Sequence, residues 1–144
     1  GFKKAGAKKI VFHYEATRSP RGVISLVRHL GLGVGLAINP DTPVSAILPL
    51  ASEVDSVLFL SVYPGFYGKE FIPEVLTKVA KFGTTCPNVE VGIDGGIKEG
   101  NITKIARAGV SVIYVGSAIF SKEQPGNSYH HLITLAQKGS RQTR

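Results

Sequence analysis

The chain has 144 residues, 43% of them hydrophobic, which is enough to bury the core of one domain. No apolar run approaches the roughly 18–20 residues of a membrane span, and no charged segment followed by an apolar one opens the chain, so neither a membrane partner nor secretion is indicated. The net charge of +7 lies mainly at the ends, because residues 10–137 hold ten basic and ten acidic side chains, and no nucleic-acid partner is expected.

Five short runs rich in Val and Ile predict β-strands at residues 9–15, 33–39, 54–62, 89–94 and 111–116. Near-continuous apolar runs such as residues 57–60 are typical of strands that are buried on both faces of a parallel sheet. Apolar residues also recur at helical spacing in four stripes: Val23, Leu26, Val27 and Leu30; Phe71, Val75, Leu76, Val79 and Phe82; Ile102, Ile105 and Ala106; and Leu132, Ile133, Leu135 and Ala136. Pro43 could open a further helix over residues 44–51, which Pro49 would end or kink.

This alternation predicts an α/β fold with a parallel sheet, because successive strand starts lie about 21 to 35 residues apart. Five strands could form an open doubly wound sheet or five-eighths of a (β/α)₈ barrel. In either fold the functional residues lie at the carboxyl ends of the strands. We predict one domain over residues 1–137, followed by a basic, disordered tail over residues 138–144.

Asp94 is the candidate that the sequence marks most clearly, since it ends a predicted buried strand and two glycines follow it at once. A carboxylate in that position can transfer protons or bind a metal ion, with a pKa set by burial and by neighbouring charge. The alternative is an ordinary turn or helix N-cap residue. Because polar residues also end the other predicted strands, we favour the catalytic interpretation.

Glycine loops follow three of the predicted strands. Gly95 and Gly96 follow one strand, and Gly116 with Ser117 follows the next, while the loop of residues 64–68 lies after the strand before them. Such loops can bring bare N–H groups close to an anion. Barrels often bind phosphate in the loops after their last two strands. The pattern therefore predicts a substrate that carries a phosphate.

The histidines and the cysteine are less informative. His13 shares a strand face with Glu15, so it could be a hydrogen-bonded structural residue or a metal ligand. No spacing of Cys and His suggests a structural zinc site. The single Cys86 excludes an internal disulfide and suits a reducing compartment, so we expect a cytoplasmic location.

Taken together, these segments resemble the C-terminal two-thirds of the ribulose-phosphate 3-epimerase family, over residues 6–120. The resemblance rests on the motifs Phe12-His13-Tyr14-Glu15-Ala16-Thr17, Gly35-Leu36-Ala37-Ile38-Asn39-Pro40-Asp41-Thr42-Pro43, Val62-Tyr63-Pro64-Gly65-Phe66-Tyr67-Gly68-Lys69-Glu70-Phe71, Asp94-Gly95-Gly96-Ile97 and Gly116-Ser117-Ala118-Ile119-Phe120. It implies a TIM-type (β/α)₈ barrel, of which this chain holds strands four to eight as an incomplete barrel of about five βα units.

The resemblance also implies an isomerase of the pentose phosphate pathway, which interconverts ribulose 5-phosphate and xylulose 5-phosphate by moving a proton at C3. Asp94 matches the aspartate that donates the proton and binds one divalent cation of the Zn, Fe, Mn or Co type, which stabilises the enediolate. The residues that match the loop over the substrate are Gly65, Phe66, Tyr67 and Gly68. Those that match the phosphate cradle are Gly95, Gly96, Gly116 and Ser117.

Some family features have no match in this chain. The other metal ligands and the second catalytic aspartate of the family belong to earlier strands, so this chain would supply one ligand of four. Lys69 replaces the usual glutamine after the glycine loop, and Leu60 replaces a usual methionine. A chain without Met that opens inside an apparent helix end is expected to be a piece of a longer protein.

Two alternative functions follow from these departures. The altered loop of residues 67–69 allows a hexulose 6-phosphate epimerase. A non-catalytic phosphosugar-binding module would keep the cradle but lack the metal site. In each case five strands of a barrel leave unpaired edges and an exposed apolar face, which predicts a homo-oligomer or a complementing chain.

Overall fold

The computed structural model describes residues 1–65 and 69–141, and in this part of the chain it shows five β-strands and six α-helices. The strands are β1 (Lys9–His13), β2 (Gly33–Ile38), β3 (Ser56–Leu60), β4 (Glu90–Asp94) and β5 (Val112–Tyr114). The helices are α1 (Pro20–His29), α2 (Val44–Ile47), α3 (Val75–Thr85), α4 (Glu99–Arg107), α5 (Ser117–Phe120) and α6 (Pro125–Arg141). Each strand begins within two residues of its predicted start, which confirms the α/β prediction.

The strands form one parallel sheet in the order β1-β2-β3-β4-β5. This sequential order is that of a barrel wall, whereas a doubly wound sheet reverses its order at a switch point. The structure therefore selects the incomplete barrel of the two folds that the sequence left open. The register pairs Leu60 with Asp94 and Asp94 with Tyr114, so the carboxyl ends of β3, β4 and β5 meet at one edge.

The core lies between the sheet and the helices that cover it. Phe59 of β3 and Phe82 of α3 are its largest fully buried side chains, and their rings meet edge-to-face at 5.7 Å. The inner strand β2 is buried along nearly its whole length, as a strand covered on both faces should be. The outer strands β1 and β5 contain no fully buried residue, which is consistent with their place at the edges of the sheet.

A charged cluster closes the amino-terminal edge of the sheet. Arg28 of α1 donates two hydrogen bonds of 2.8 Å to the carboxylate of Asp55, and a third of 3.1 Å to the carbonyl of Glu53. The backbone N–H of Val34 donates to the same carboxylate at 2.7 Å. The hydrogen bond from Arg28 lowers the pKa of Asp55, so the pair remains ionised. This cluster ties α1 to β2 and to the start of β3.

Two helical predictions need correction. Leu26 and Leu30 of the first predicted stripe are exposed, whereas Val27 of that stripe is buried together with Ile24, which the stripe did not include. Phe71 lies outside α3, since the backbone N–H of Ile72 donates to the carbonyl of Ser61 at 2.8 Å and holds this segment against the end of β3. The helix can begin only after that tertiary contact ends.

The predicted disordered tail is wrong for residues 138–141, because α6 continues to Arg141. Gly139 is buried where α6 crosses α4, and a Cβ atom there would lie 2.3 Å from the carbonyl oxygen of Thr103. Residues 142–144 lie outside the described part of the chain, and the single domain over residues 1–137 stays a prediction. Among the described helices, none combines the length and apolar character that crossing a membrane requires.

Candidate active site

A cavity of about 310 Å³ opens at the carboxyl edge of the sheet, where β4 and β5 end. It brings together five of the predicted site residues: Asp94, Gly95, Gly96, Gly116 and Ser117. Its remaining lining residues are Val62, Lys69, Ile97, Lys98 and Tyr114. The cavity is therefore lined by an aspartate, two glycine loops and two lysines, Lys69 and Lys98, which the sequence had not marked as site residues.

Buried Ser61 fixes the peptide that carries Asp94. Its backbone N–H donates to the carbonyl of Asp94 at 2.8 Å, and its hydroxyl is shared between that carbonyl at 2.9 Å and the carbonyl of Gly95 at 2.7 Å. Ser61 has no exposed surface, so water does not compete for these bonds. Because Ser61 immediately follows β3, its position after an apolar run was the one sequence signal that could have pointed to it.

The carboxyl group of Asp94 has acid–base properties that differ from those of an ordinary surface aspartate. The residue as a whole is exposed at the end of β4, where it lines the cavity, but its carboxyl group is partly desolvated. This desolvation raises the pKa of Asp94, although a hydrogen bond from the backbone of Gly95 opposes the shift. A carboxyl group whose pKa moves toward neutrality is better matched to accepting and donating a proton than an ordinary surface aspartate.

Gly95 and Gly96 are required by the geometry of the turn after β4. Both have positive φ angles, of 117° and 63°. A Cβ atom at Gly95 would lie 2.6 Å from a methyl of Val62, and one at Gly96 would lie 2.7 Å from the backbone nitrogen of Phe71. Gly116 differs, since a Cβ atom there would meet nothing within 4 Å. The first loop is therefore closely packed, while the second leaves open space beside the cavity.

Asn101 of α4 holds the rest of this turn. Its side-chain nitrogen donates to the carbonyl of Gly96 at 2.9 Å, and its side-chain oxygen accepts the backbone N–H of Lys98 at 2.8 Å. The turn is thus fixed at both ends, by Ser61 directly after β3 and by Asn101 of α4. The sequence reasoning missed Asn101, because nothing in its spacing distinguishes it from a surface residue on the first turn of a helix.

His13 and Glu15 do not line the cavity but support a neighbouring loop. Glu15 accepts hydrogen bonds from the backbone of Asn39 at 2.9 Å and from the hydroxyl of Thr42, and the His13 ring nitrogen Nδ1 lies 3.4 Å from its other oxygen. Burial works to raise the pKa of Glu15, but these hydrogen bonds together outweigh it, so that the pKa is lowered. In the described part of the chain, the contacts of His13 are therefore those of a hydrogen-bonded structural residue, the first of its two predicted roles.

Lys78 of α3 holds the same loop from the other side. Its ammonium group donates to the carbonyls of Asn39 at 3.3 Å and Pro40 at 2.7 Å, and also to the carbonyl of Thr42. Burial lowers the pKa of Lys78. Asp41, which lies between Pro40 and Thr42 in this loop, accepts a hydrogen bond of 2.7 Å from the hydroxyl of Tyr63. The loops after β2 and β3 are therefore linked to each other.

The predicted substrate loop is only partly described. Gly65 has a φ angle of 118°, and it is not among the residues that line the cavity. The predicted residues Phe66, Tyr67 and Gly68 lie outside the described part of the chain. Whether this loop covers the substrate therefore remains a prediction from the resemblance.

The donor atoms near Asp94 decide whether the described residues fit the divalent cation that the family resemblance implies. Within residues 1–65 and 69–141, no group of three or more His, Cys, Asp or Glu side chains could hold a metal ion. The side-chain oxygen of Asn39 is buried and has no hydrogen-bond partner among the described atoms, but Asn39 does not line the cavity. The described residues thus offer Asp94 as a single ligand and do not form a metal site by themselves.

These observations define a βα-barrel protein whose polar and glycine residues gather at the carboxyl edge of the sheet. The chain belongs to the ribulose-phosphate 3 epimerase family, whose model matches residues 1–120. It is 36% identical to a ribulose-phosphate 3-epimerase of Candida glabrata over 137 residues, which are 95% of this chain and 54% of that protein. It is 41% identical to ribulose-phosphate 3-epimerase 2 of Cupriavidus necator over 140 residues, which are 92% of this chain and 58% of that protein. The chain therefore spans about half the length of these relatives.

Solved structures support the fold. The chain superimposes on 3-hexulose-6-phosphate synthase of Salmonella typhimurium with a TM-score of 0.70 and 19% identity, covering 99% of this chain and 65% of that one. A tryptophan synthase alpha-subunit of Pyrococcus furiosus gives a TM-score of 0.63 and 16% identity, covering 94% of this chain and 56% of that one. At these identities the likeness concerns the barrel architecture alone. The family resemblance and the incomplete barrel that the sequence predicted are both confirmed.

Proposed function

We propose that this chain carries the proton-transferring aspartate and the phosphate-binding loops of a ribulose-phosphate 3-epimerase. The observation that supports this most directly is the cavity in which Asp94 lies beside two glycine loops. The relatives of this chain from Candida glabrata and Cupriavidus necator are named ribulose-phosphate 3-epimerases, and each is about twice as long as the segment that matches this chain. The proposed reaction is the interconversion of ribulose 5-phosphate and xylulose 5-phosphate.

In this proposal the backbone N–H groups of Gly95, Gly96, Gly116 and Ser117 receive the phosphate. Holding the phosphate fixes the sugar chain relative to Asp94, which converts proton transfer into an effectively intramolecular step. The carbon at C3 lies next to the ketone, so its proton is acidic enough to be moved by a carboxylate. Asp94 takes or returns that proton, and because burial raises its pKa, its carboxylate is a stronger base than that of an ordinary aspartate.

A divalent cation of the Zn, Fe, Mn or Co type remains part of the proposal at the level of the family. Asp94 would be one of its ligands, and the cation would supply Lewis-acid stabilisation of the enediolate oxygens. Because the described residues do not complete its coordination, ligands from elsewhere would be required.

Proton exchange at C3 tests this function without requiring complete epimerisation. The 144-residue chain is incubated with ribulose 5-phosphate and a divalent cation in D₂O, and loss of the C3 proton is followed by ¹H NMR. We expect exchange above background with the parent chain and none above background with Asp94→Asn. Equal exchange in both would exclude Asp94 as the acid–base group. Binding of ribulose 5-phosphate without exchange in either would instead favour the non-catalytic phosphosugar-binding module.

A further inference from the structure

Lys69 lines the cavity although the family resemblance gives it no role. It replaces the glutamine that usually follows the glycine loop, and it stands two residues before Phe71, whose backbone packs directly on Gly96. This close contact leaves no room for a Cβ atom at Gly96, so the segment around Lys69 is held against the predicted phosphate cradle. Lys69 is thereby placed at the cavity wall, beside that cradle.

A chain of contacts positions Lys69. Its ammonium nitrogen lies 5.9 Å from the centre of the Tyr63 ring, which is within the range of a cation–π interaction. The hydroxyl of Tyr63 donates to Asp41 at 2.7 Å, and the backbone on either side of Asp41 is held by Lys78. The ring that faces Lys69 is therefore anchored through the loop after β2 rather than by Lys69 itself.

A second lysine, Lys98, also lines the cavity. The backbone at Lys98 is fixed by Asn101, which also holds the carbonyl of Gly96. The lining of the cavity thus contains two cationic side chains and one carboxylate, that of Asp94. This charge distribution favours a ligand with more than one negative charge, because each ammonium group gains more from a dianion than from a monoanion.

We propose that Lys69 is a substrate-binding residue that contacts the dianionic phosphate of the sugar phosphate, and that Tyr63 is its positioning residue. This inference rests on the proposed function, since it requires that the cavity bind phosphate. It adds a side-chain charge to a cradle of backbone N–H groups, and it assigns a role to a lysine in which this chain departs from its family.

Calorimetric binding of ribulose 5-phosphate to the 144-residue chain tests the proposal. Lys69→Gln keeps most of the side-chain length and removes the charge, so we expect about a tenfold loss of affinity, the scale of one charge-assisted hydrogen bond. Lys69→Arg should recover most of it. Tyr63→Leu, which removes the ring, should weaken binding more than Tyr63→Phe, which removes only the bond to Asp41. The matched control is Lys81→Gln, an exposed lysine of α3, which should leave affinity unchanged.

The salt dependence separates charge from a structural effect. If Lys69 contacts the phosphate, affinity should fall less steeply with added salt in Lys69→Gln than in the parent chain, because one screened interaction is gone. Parent-like affinity and salt dependence in Lys69→Gln would overturn the role of Lys69 while leaving the cradle intact. Failure of the parent chain itself to bind ribulose 5-phosphate would overturn both the cradle and this proposal.

Discussion

Replacement of Gly96 by alanine tests how tightly the turn after β4 is packed. At a φ angle of 63°, an alanine costs about 1–2 kcal/mol more than a glycine. The new Cβ atom would also lie 2.7 Å from the nitrogen and 3.0 Å from the Cα of Phe71, and relieving such backbone overlap costs about 1–3 kcal/mol. We therefore expect Gly96→Ala to lower the free energy of unfolding by about 2–5 kcal/mol.

Urea denaturation followed by circular dichroism measures this change, and Gly100→Ala is its matched control. Gly100 lies on the first turn of α4, where a Cβ atom would meet nothing within 4 Å. Its replacement should leave stability unchanged or raise it by up to about 1 kcal/mol through helix propensity. A loss in Gly96→Ala no greater than the φ angle alone would cause, about 1–2 kcal/mol, with the control behaving as expected, would refute the argument that Phe71 closes over the turn.

Three further predictions concern charge and helix packing. The pKa of Asp94 is raised in the folded chain, so folding penalises its ionised form, and Asp94→Asn should melt at an equal or higher temperature than the parent at pH 7. This difference should vanish as the pH falls through the folded-state pKa of Asp94 and below its unfolded-state pKa. A clearly lower melting temperature of Asp94→Asn at pH 7 would contradict the prediction. The pKa of Glu15 is lowered in the folded chain, so the stability that its carboxylate contributes is present above the unfolded-state pKa and is lost as the pH falls through the folded-state pKa. The melting temperature of Glu15→Gln should therefore lie below that of the parent at pH 7, and the two should converge in acid. Gly139→Ala should lower the free energy of unfolding in urea by about 1–3 kcal/mol, because its Cβ atom would overlap the carbonyl of Thr103. The control Ser140→Ala, at an exposed neighbour, should leave it unchanged. Equal denaturation curves for the two variants would disprove the close crossing of α4 and α6.

The strands were predictable because each is a short apolar run, and such runs carry their own signal. The end of β1 was placed too late, since residues 14–16 form a 3₁₀ turn that brings Glu15 under the neighbouring loop. Phe71 was assigned to a helix because its spacing from Val75 fits one, but the bond from Ile72 to Ser61 prevents the helix from starting there. Local pattern gave the elements, and contacts distant in sequence set their ends.

The candidate site shows the same division. Asp94 and the two glycines were found because an acidic residue and paired glycines at a strand end form an unusual local pattern. Ser61 and Asn101, which fix that turn, lie 33 and seven residues away and look like ordinary polar residues in the sequence. Lys69 was noticed as a departure from the family, but its place in the cavity depends on how Phe71 packs on the turn.

The cluster of Arg28 and Asp55 lies apart from the cavity, and this separation bears on which substitutions the fold can accept. It joins a helix to two strands at the amino-terminal edge, at the far end of the strands from the cavity. Substitutions around the cavity therefore leave this brace untouched, and a bidentate pair of this kind keeps its geometry while loops elsewhere are altered. Because the two features are separate, a substitution in a cavity loop, such as Lys69 in place of the family's usual glutamine, changes the surface that faces a ligand without touching the contacts that join α1 to the sheet.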